Sequence, residues 1–428
     1  MKSLTKIGKT LRTFSGFALL AAIPWGHVSG YGAMILGIFA LPFPVDHLRT
    51  PRPKRVLMFL FSAFFLWGLI LSLFVADNRI ASVEALFTYF AHWALPFILG
   101  YAIASRHSLR IIYVWIGSLL LLGTVSLMAY LSLFHAPNFS SEGLLKGLHT
   151  HIQFGTLLLI ALHLILGMFL TPKIESKKTY IFGIMGVIFA FMIFLTGSRG
   201  VWLAGAVSIT GALIHSAITR RRRRISLLFL ILIAVCGAAA IAIFPQVRYR
   251  INRTGTDDPS YIYRKNMAIM ATEIISDYPI TGIGPGGVPY AKEYYELMEE
   301  RNLPVETGYL KKKHLHDLYL HITAEFGIPG LLILLGIFGT LFWLAISAIR
   351  NTKNLEKGLS YGFLWAIVAV GVGEILDCLL RGPPVAIEFF FIAGLIAGIL
   401  ADSTQIEISS KSPNAGLHAD NQTSIELE

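Results

Sequence analysis

The chain has 428 residues, of which 55% are hydrophobic and only 14% charged, against roughly 25% charged in an ordinary soluble domain. That balance excludes a string of soluble domains and makes apolar spans the first thing to count. A net charge of +11 would suit a nucleic-acid binder, but no basic stripe interleaves with exposed aromatics, and membrane proteins collect Lys and Arg in cytoplasmic loops.

The opening MKSLTKIGKTLR followed by FSGFALLAAIPWG has the look of a signal peptide. No A-x-A-like cleavage site follows and further spans come directly after, so it reads as an uncleaved first transmembrane helix. The apolar runs predict an all-α, polytopic membrane protein of about twelve spans. They lie near residues 14–29, 31–45, 56–75, 83–104, 111–134, 151–170, 180–196, 200–217, 225–244, 328–349, 359–379 and 385–401. Cys236 and Cys378 fall inside these runs and read as small buried hydrophobes rather than a disulfide framework. The chain thus divides into nine helices (1–244), one long loop (245–327), three helices (328–401) and a polar tail (402–428) expected to be disordered and cytoplasmic.

Orientation follows from the short connections. One set comprises the N-terminal arm, DHLRTPRPKR, SRHSLR, PKIESKK, TRRRRR and IRNTKNLEKG. The alternating set comprises ADNRIAS, HAPNFSSEGLLKGLH, TGSRG and CLLRGPP. The first holds about 21 Lys and Arg against about 4 in the second, which places the first set in the cytoplasm. The 245–327 loop falls on the outer side, and a connection of that length usually carries function. Within it, Asp258-Pro259-Ser260 is a helix start. The helix it opens runs from about 260 to 277, with Met267, Met270, Ala271 and Ile274 on one face. Pro279 ends that helix, DYPITGIGPGGVP must turn sharply, and a second helix, KEYYELMEE, precedes the basic run KKKHLHDLYLH.

Several residues of this outer side have chemistry to offer. Arg199, in TGSRG, stands at a helix start, where backbone N–H groups favour an anion. Gly197 and Gly200 flank it and free the backbone to turn. Its bland reading is an arginine snorkelling to headgroups. Arg264, near the start of the loop helix, shares the anion-friendly end, or is a solvated surface charge among Arg250, Arg253 and Lys265. His314 and His316 form an H-x-H pair followed by Asp317. One such pair, without a thiolate or carboxylate at helical spacing, is a weak metal signal. A structural role and a general-base role stay open beside it. GIGPGG suggests a phosphate cradle, but it matches no nucleotide-binding pattern and no strand precedes it; a tight turn packing helices together is the simpler reading. Glu374 and Asp377 lie near Arg381 at an outer helix end, where a structural ion pair and a substrate contact are both open. Together, two arginines and a histidine beside an apolar bundle suit an amphiphile with a long apolar tail and a phosphate or diphosphate head.

FLTGSRGVWLA, then YRKNM leading into DYPITGIGPGGV, then HLHDLYLHITAEFGIPGLL, resemble the shared domain of O-antigen ligases and polymerases over about residues 180–345. The plan of about twelve spans with one dominant loop before the tenth looks most like the ligases. The resemblance implies a glycosyltransferase of the bacterial inner membrane with a periplasm-facing site. It would move O-antigen from undecaprenyl diphosphate to a hydroxyl of lipid A–core, with inversion and without cofactor or metal. Carried over by motif, Arg199 and Arg264 would bind the diphosphate and His316 would activate the acceptor. Ser198, Gly284, His314 and Asp317 would support them. Asp317 stands where the family commonly has Asn, and an aspartate there would orient the imidazole. A polymerase or a protein O-oligosaccharyltransferase would share these motifs. A lipid-linked-sugar flippase would need charges along a path through the bilayer and internal repeats, whereas here the charges cluster at one end.

Overall fold

A computed structural model describes residues 51–411, apart from 105–107, 134–138, 142–143, 173–174, 220–222, 253–254, 256–257 and 304–313, together with positions 10, 14, 18, 21 and 25. The first two spans expected from the sequence and the tail beyond residue 411 therefore lie outside the described residues.

Among those residues, ten helices are long and apolar enough to cross a membrane, and each coincides with one of the remaining ten runs. They are α1 (Arg52–Phe74), α2 (Arg79–Ile103, with a π-helical turn at Phe90–Ala94), α3 (Ser108–Tyr130), α4 (His151–Phe169) and α5 (Ser176–Leu195). Then come α6 (Arg199–Ile218) and α7 (Arg223–Ile243). The long segment holds α8 (Pro245–Asn252), α9 (Pro259–Asp277), a 3-10 turn at Val288–Tyr290 and α10 (Lys292–Glu300). The last three are α11 (Leu318–Asn351), α12 (Asn354–Gly373) and α13 (Pro383–Lys411). A pair of two-residue strands, Ser140–Ser141 and Leu144–Leu145, interrupts the all-α plan. The chain is an all-α, multi-pass membrane protein.

In α4 every side chain from Phe154 to Phe169 is buried, and the apolar part of α13 is enclosed throughout. Close approach comes from glycines: Gly167 of α4 faces the backbone of Gly358 and Gly362 in α12, and Gly394 of α13 faces the carbonyl of Phe97 in α2. Small residues spaced by four let apolar helices meet backbone to backbone, which matters where the surroundings are themselves apolar. The opposite case is α7, whose Leu227, Leu228, Ile231 and Val235 are exposed, as a lipid-facing helix requires.

The intramembrane charges have local partners. Glu388 accepts a hydrogen bond from Trp115 Nε1 (2.7 Å), and His163 Nδ1 lies 2.7 Å from the Leu159 carbonyl. Glu374 accepts from the backbone N–H groups of Leu379 and Leu380 (2.9 Å each), so it holds the α12–α13 connection in shape.

Two departures from expectation concern α11 and α13. The helix of the tenth span begins at Leu318, inside the stretch read as loop, and α13 continues to Lys411, into the stretch read as tail. At 34 residues, α11 is roughly 50 Å long, well beyond the ~30 Å hydrocarbon layer. It is broken at Gly327 (φ 69°, ψ −178°), with Pro329 close behind. The Gly-rich turn seats in that break: Ile283 N–H donates to the Ala324 carbonyl (3.0 Å) and Ile328 N–H to the Pro279 carbonyl (2.8 Å). On its other side Gly284 packs against Ala76 and Gly286 against Ala85, in and beside the α1–α2 connection. The turn therefore pins the long segment to the bundle. Beneath it, Met267, Met270, Ala271 and Ile274 of α9 are fully buried with Val288, Tyr294 and Met298, the face expected from their spacing.

Candidate functional site

The connections at residues 75–78, 196–198 and 374–382 and the described parts of 131–150 gather with the described parts of the long segment at one end of the bundle, as the contacts of Ala76, Leu144, Arg199 and Asp377 show. At this end Thr196 closes α5 and Gly197 takes a left-handed backbone (φ 62°) against Leu144. Ser198 then caps α6, its hydroxyl accepting from Val201 N–H. Arg199 is thereby fixed as the first residue of α6. Ser198 thus shapes this turn.

The Arg199 guanidinium grips Asp258 with both nitrogens, at 2.8 and 3.2 Å, and donates to Ser260 Oγ at 2.7 Å. Asp258 in turn caps α9 by accepting from Ser260 N–H (2.8 Å). Hydrogen bonds from Arg199, and then from Ser260, hold the Asp258 carboxyl well below the usual carboxylate range. One fork-to-fork pair thus locks the start of a membrane helix to the start of the long segment's main helix.

Arg264 follows Ser260 by four residues, so both present the same face of α9. That face lines a cavity of about 200 Å³ together with Arg199 and Arg250. The lining also has an apolar part, supplied by Leu159, Val201, Ala204, Ala369 and Leu376. Among the described residues Arg264 makes no ion pair, so its charge is left for the cavity.

Asp377 also lines this cavity and joins it to the histidines. His314 Nε2 lies 3.1 Å from Asp377 Oδ1, and His316 Nδ1 lies 3.3 Å from the same oxygen. The two imidazoles are 4.3 Å apart, and Tyr263 of α9 stands edge-on to His316 at 5.4 Å. The left-handed backbone of His316 (φ 56°) and the buried Leu315 turn the pair toward Asp377. Burial works to raise the Asp377 carboxyl, but His314 and His316 beside it outweigh that and hold it well below the usual range. His316 Nδ1 is nonetheless buried without a hydrogen-bond partner.

Asp317 is not the carboxylate that orients His316. Its side chain caps α11, accepting from Leu320 N–H (2.9 Å), and burial raises its carboxyl. The facing carboxylate is Asp377, which sequence reading paired with Arg381. Gly284 lies outside the cavity lining, in the turn that docks on Ala76. The structure therefore brings Arg199, Arg264, His314 and His316 to one region and adds Asp258, Arg250 and Asp377. Asp258 was visible as a helix start but not as a partner for Arg199.

An O-antigen ligase family model matches residues 184–335, a span that carries Arg199, Arg264, His314 and His316 and stops short of Asp377. A comparison with curated proteins gives no match. Among solved structures, a chain from a study of the structural coordination of polymerization and crosslinking by a peptidoglycan synthase complex is 17% identical, with a TM-score of 0.46. The match covers 84% of this chain and 99% of that one. A likeness at that level says nothing about the chemistry here.

Proposed function

We propose that this chain, a member of the O-antigen ligase superfamily through residues 184–335, is an O-antigen ligase of the bacterial inner membrane with its site on the periplasmic face. The single observation that carries the reading is the shared cavity. Arg199 and Arg264 come to it from different elements, part of its lining is apolar, and Asp377 leads from it to the histidine pair.

The carrier's prenyl tail lies along the bundle, and its diphosphate enters the cavity. Arg264 meets it with a charge not already spent, while Arg199, at the first turn of α6, adds its guanidinium and a helix N-terminus. With Nδ1 turned to Asp377, the other ring nitrogen of His316, Nε2, is the one to face an acceptor. It takes the proton from a sugar hydroxyl of lipid A–core as that oxygen attacks the anomeric carbon. The carbon–oxygen bond to the phosphate breaks, undecaprenyl diphosphate leaves, and the configuration inverts in the single displacement.

The test is transfer by purified full-length protein from lipid-linked O-antigen to lipid A–core with EDTA present. Product is expected from the wild type, and His316→Ala should fall by roughly 10²–10⁴-fold, the usual worth of a general base. A His316→Ala protein that still caps lipid A–core at the wild-type rate would remove the assignment. Deletion strains separate the nearest rival: loss of a ligase leaves no O-antigen on the core, whereas loss of a polymerase leaves one repeat. A single large loop, where polymerases of the group more often have two, favours the ligase.

A further inference from the structure

We propose that His314, His316 and Asp377 form a binding site for a divalent transition-metal ion of the zinc type, and that an ion bound there switches transfer off. Each residue offers one ligand atom, and the three atoms lie within 4.8 Å of one another. The two separations from Asp377 are close to those a tetrahedral ion imposes. Ligand bonds of 2.0–2.1 Å put neighbouring ligand atoms about 3.3 Å apart, and His314 Nε2 and His316 Nδ1 stand 3.1 and 3.3 Å from Asp377 Oδ1.

A second observation is independent of that spacing. His316 Nδ1 is buried and has no hydrogen-bond partner, although a carboxylate oxygen is near. If Asp377 served only to orient His316, an aligned hydrogen bond would be expected between them. A metal ion would satisfy that nitrogen, the His314 nitrogen and the carboxylate at once. Asp377 Oδ1 is steadied by Cys378 N–H (2.8 Å), the kind of outer contact that holds a ligating carboxylate in place.

The site is also reachable. The side chains of His314 and His316 are 30% and 26% exposed, and Asp377 borders the cavity. Two imidazoles and one carboxylate select zinc, and nickel or cobalt of similar preference, over magnesium and calcium, which favour all-oxygen shells. Three protein ligands leave a fourth position for water.

The effect on transfer rests on the ligase reading above; the binding does not. With a metal on Nδ1, the neutral His316 ring carries its one proton on Nε2. That nitrogen then donates and has no lone pair for the acceptor's proton, so the base is lost while the fold is untouched.

The experiment uses the full chain in detergent, stripped with EDTA and freed of chelator. Zinc is titrated by calorimetry, and Co²⁺ is added separately to read the visible absorption of a tetrahedral site. We expect one tight zinc equivalent that magnesium does not displace and a tetrahedral cobalt band. In His314→Gln and Asp377→Asn the zinc affinity should fall at least tenfold. Absence of the band in the wild type, or zinc binding unchanged in both variants, overturns the site. The cobalt arm needs no variant and so does not depend on one folding. Zinc should stop transfer by the wild type, and EDTA should restore it. If zinc binds at these residues while transfer continues, the metal site stands, and both the switch and the assignment of His316 as base fall.

Discussion

Two arginines at the cavity are in different electrostatic states, and that difference sets what each substitution does. Arg264 has no counter-charge among the described residues, so its loss costs binding and little stability. A charge-assisted hydrogen bond is worth about 1.5–3 kcal/mol, so Arg264→Ala should lower transfer by roughly 10- to 100-fold per bond lost, with the melting temperature kept. Arg264→Lys restores the charge without the planar fork and should recover only part of the rate. Kinetics at saturating acceptor, set beside a melting curve, checks both. Arg199 is different because Asp258 holds it. The Asp258 carboxyl is lowered in the folded chain, so the pair contributes stability above the ordinary carboxylate range, and that contribution is lost as pH falls below about 4. Wild-type thermal stability in detergent should begin to fall near pH 5 and keep falling below about pH 4, and Asp258→Asn should start lower and show a smaller drop. Identical slopes would mean that the pair contributes nothing. Residues of this kind were legible by type and not by partner. Arg199 stood out because basic residues are scarce in the short outer connections, and His316 through its H-x-H pair and the family motif. Asp377 was read with Glu374 beside Arg381, as an ion pair or a substrate contact, and not with the histidines, since it meets His314 across 63 positions of chain.

Individual elements were read well where one physical signal dominated. Ten spans appear because uninterrupted apolar runs have no other stable fate in a bilayer, and α9 appears because its cap and its buried face agree. The start of α11 was missed for an equally physical reason. His321 and Glu325 make 318–326 look polar, yet both are fully buried, 3.4 Å from each other, with Val288 N–H also reaching Glu325. Polar side chains buried beside one another inside a fold are invisible to a count of apolar residues. The break at Gly327 depends on its being glycine. A side chain there would meet the Ile280 carbonyl, and the backbone region is one that only glycine occupies at ease, with other residues costing about 1–3 kcal/mol. Gly327→Ala should therefore lower the melting temperature and speed protease cleavage in the long segment. Gly339→Ala, in the same helix with open space around it, should do neither.

The bundle as a whole sorts its connections by end, and the sorting agrees with the basic-residue count that set the orientation. Single cysteines placed at Asn78 and Gly255 in a chain whose Cys236 and Cys378 are replaced by serine should react with an impermeant thiol reagent added to intact spheroplasts. Cysteines at Glu175 and Thr219 should react only after the membrane is opened. All four positions are exposed, so accessibility reports sidedness and not burial. The reverse pattern would turn the protein over and remove the periplasmic assignment. Which helices enclose the others was not legible, because a buried span and a lipid-facing span have the same composition, and the backbone-to-backbone glycine contacts of α4, α12 and α13 emerge only in the packed fold.

The seating of the Gly-rich turn also has a consequence in time. The turn rests on Ala76, made some two hundred residues earlier, and on Ala324, made some forty residues later, while the histidines wait for Asp377. During synthesis the long segment therefore leaves the membrane before the residues that complete it exist. On the ligase reading, a chain released before its last two spans have been inserted should be inert, because Asp377 comes from the α12–α13 connection, the last part of the site to be made.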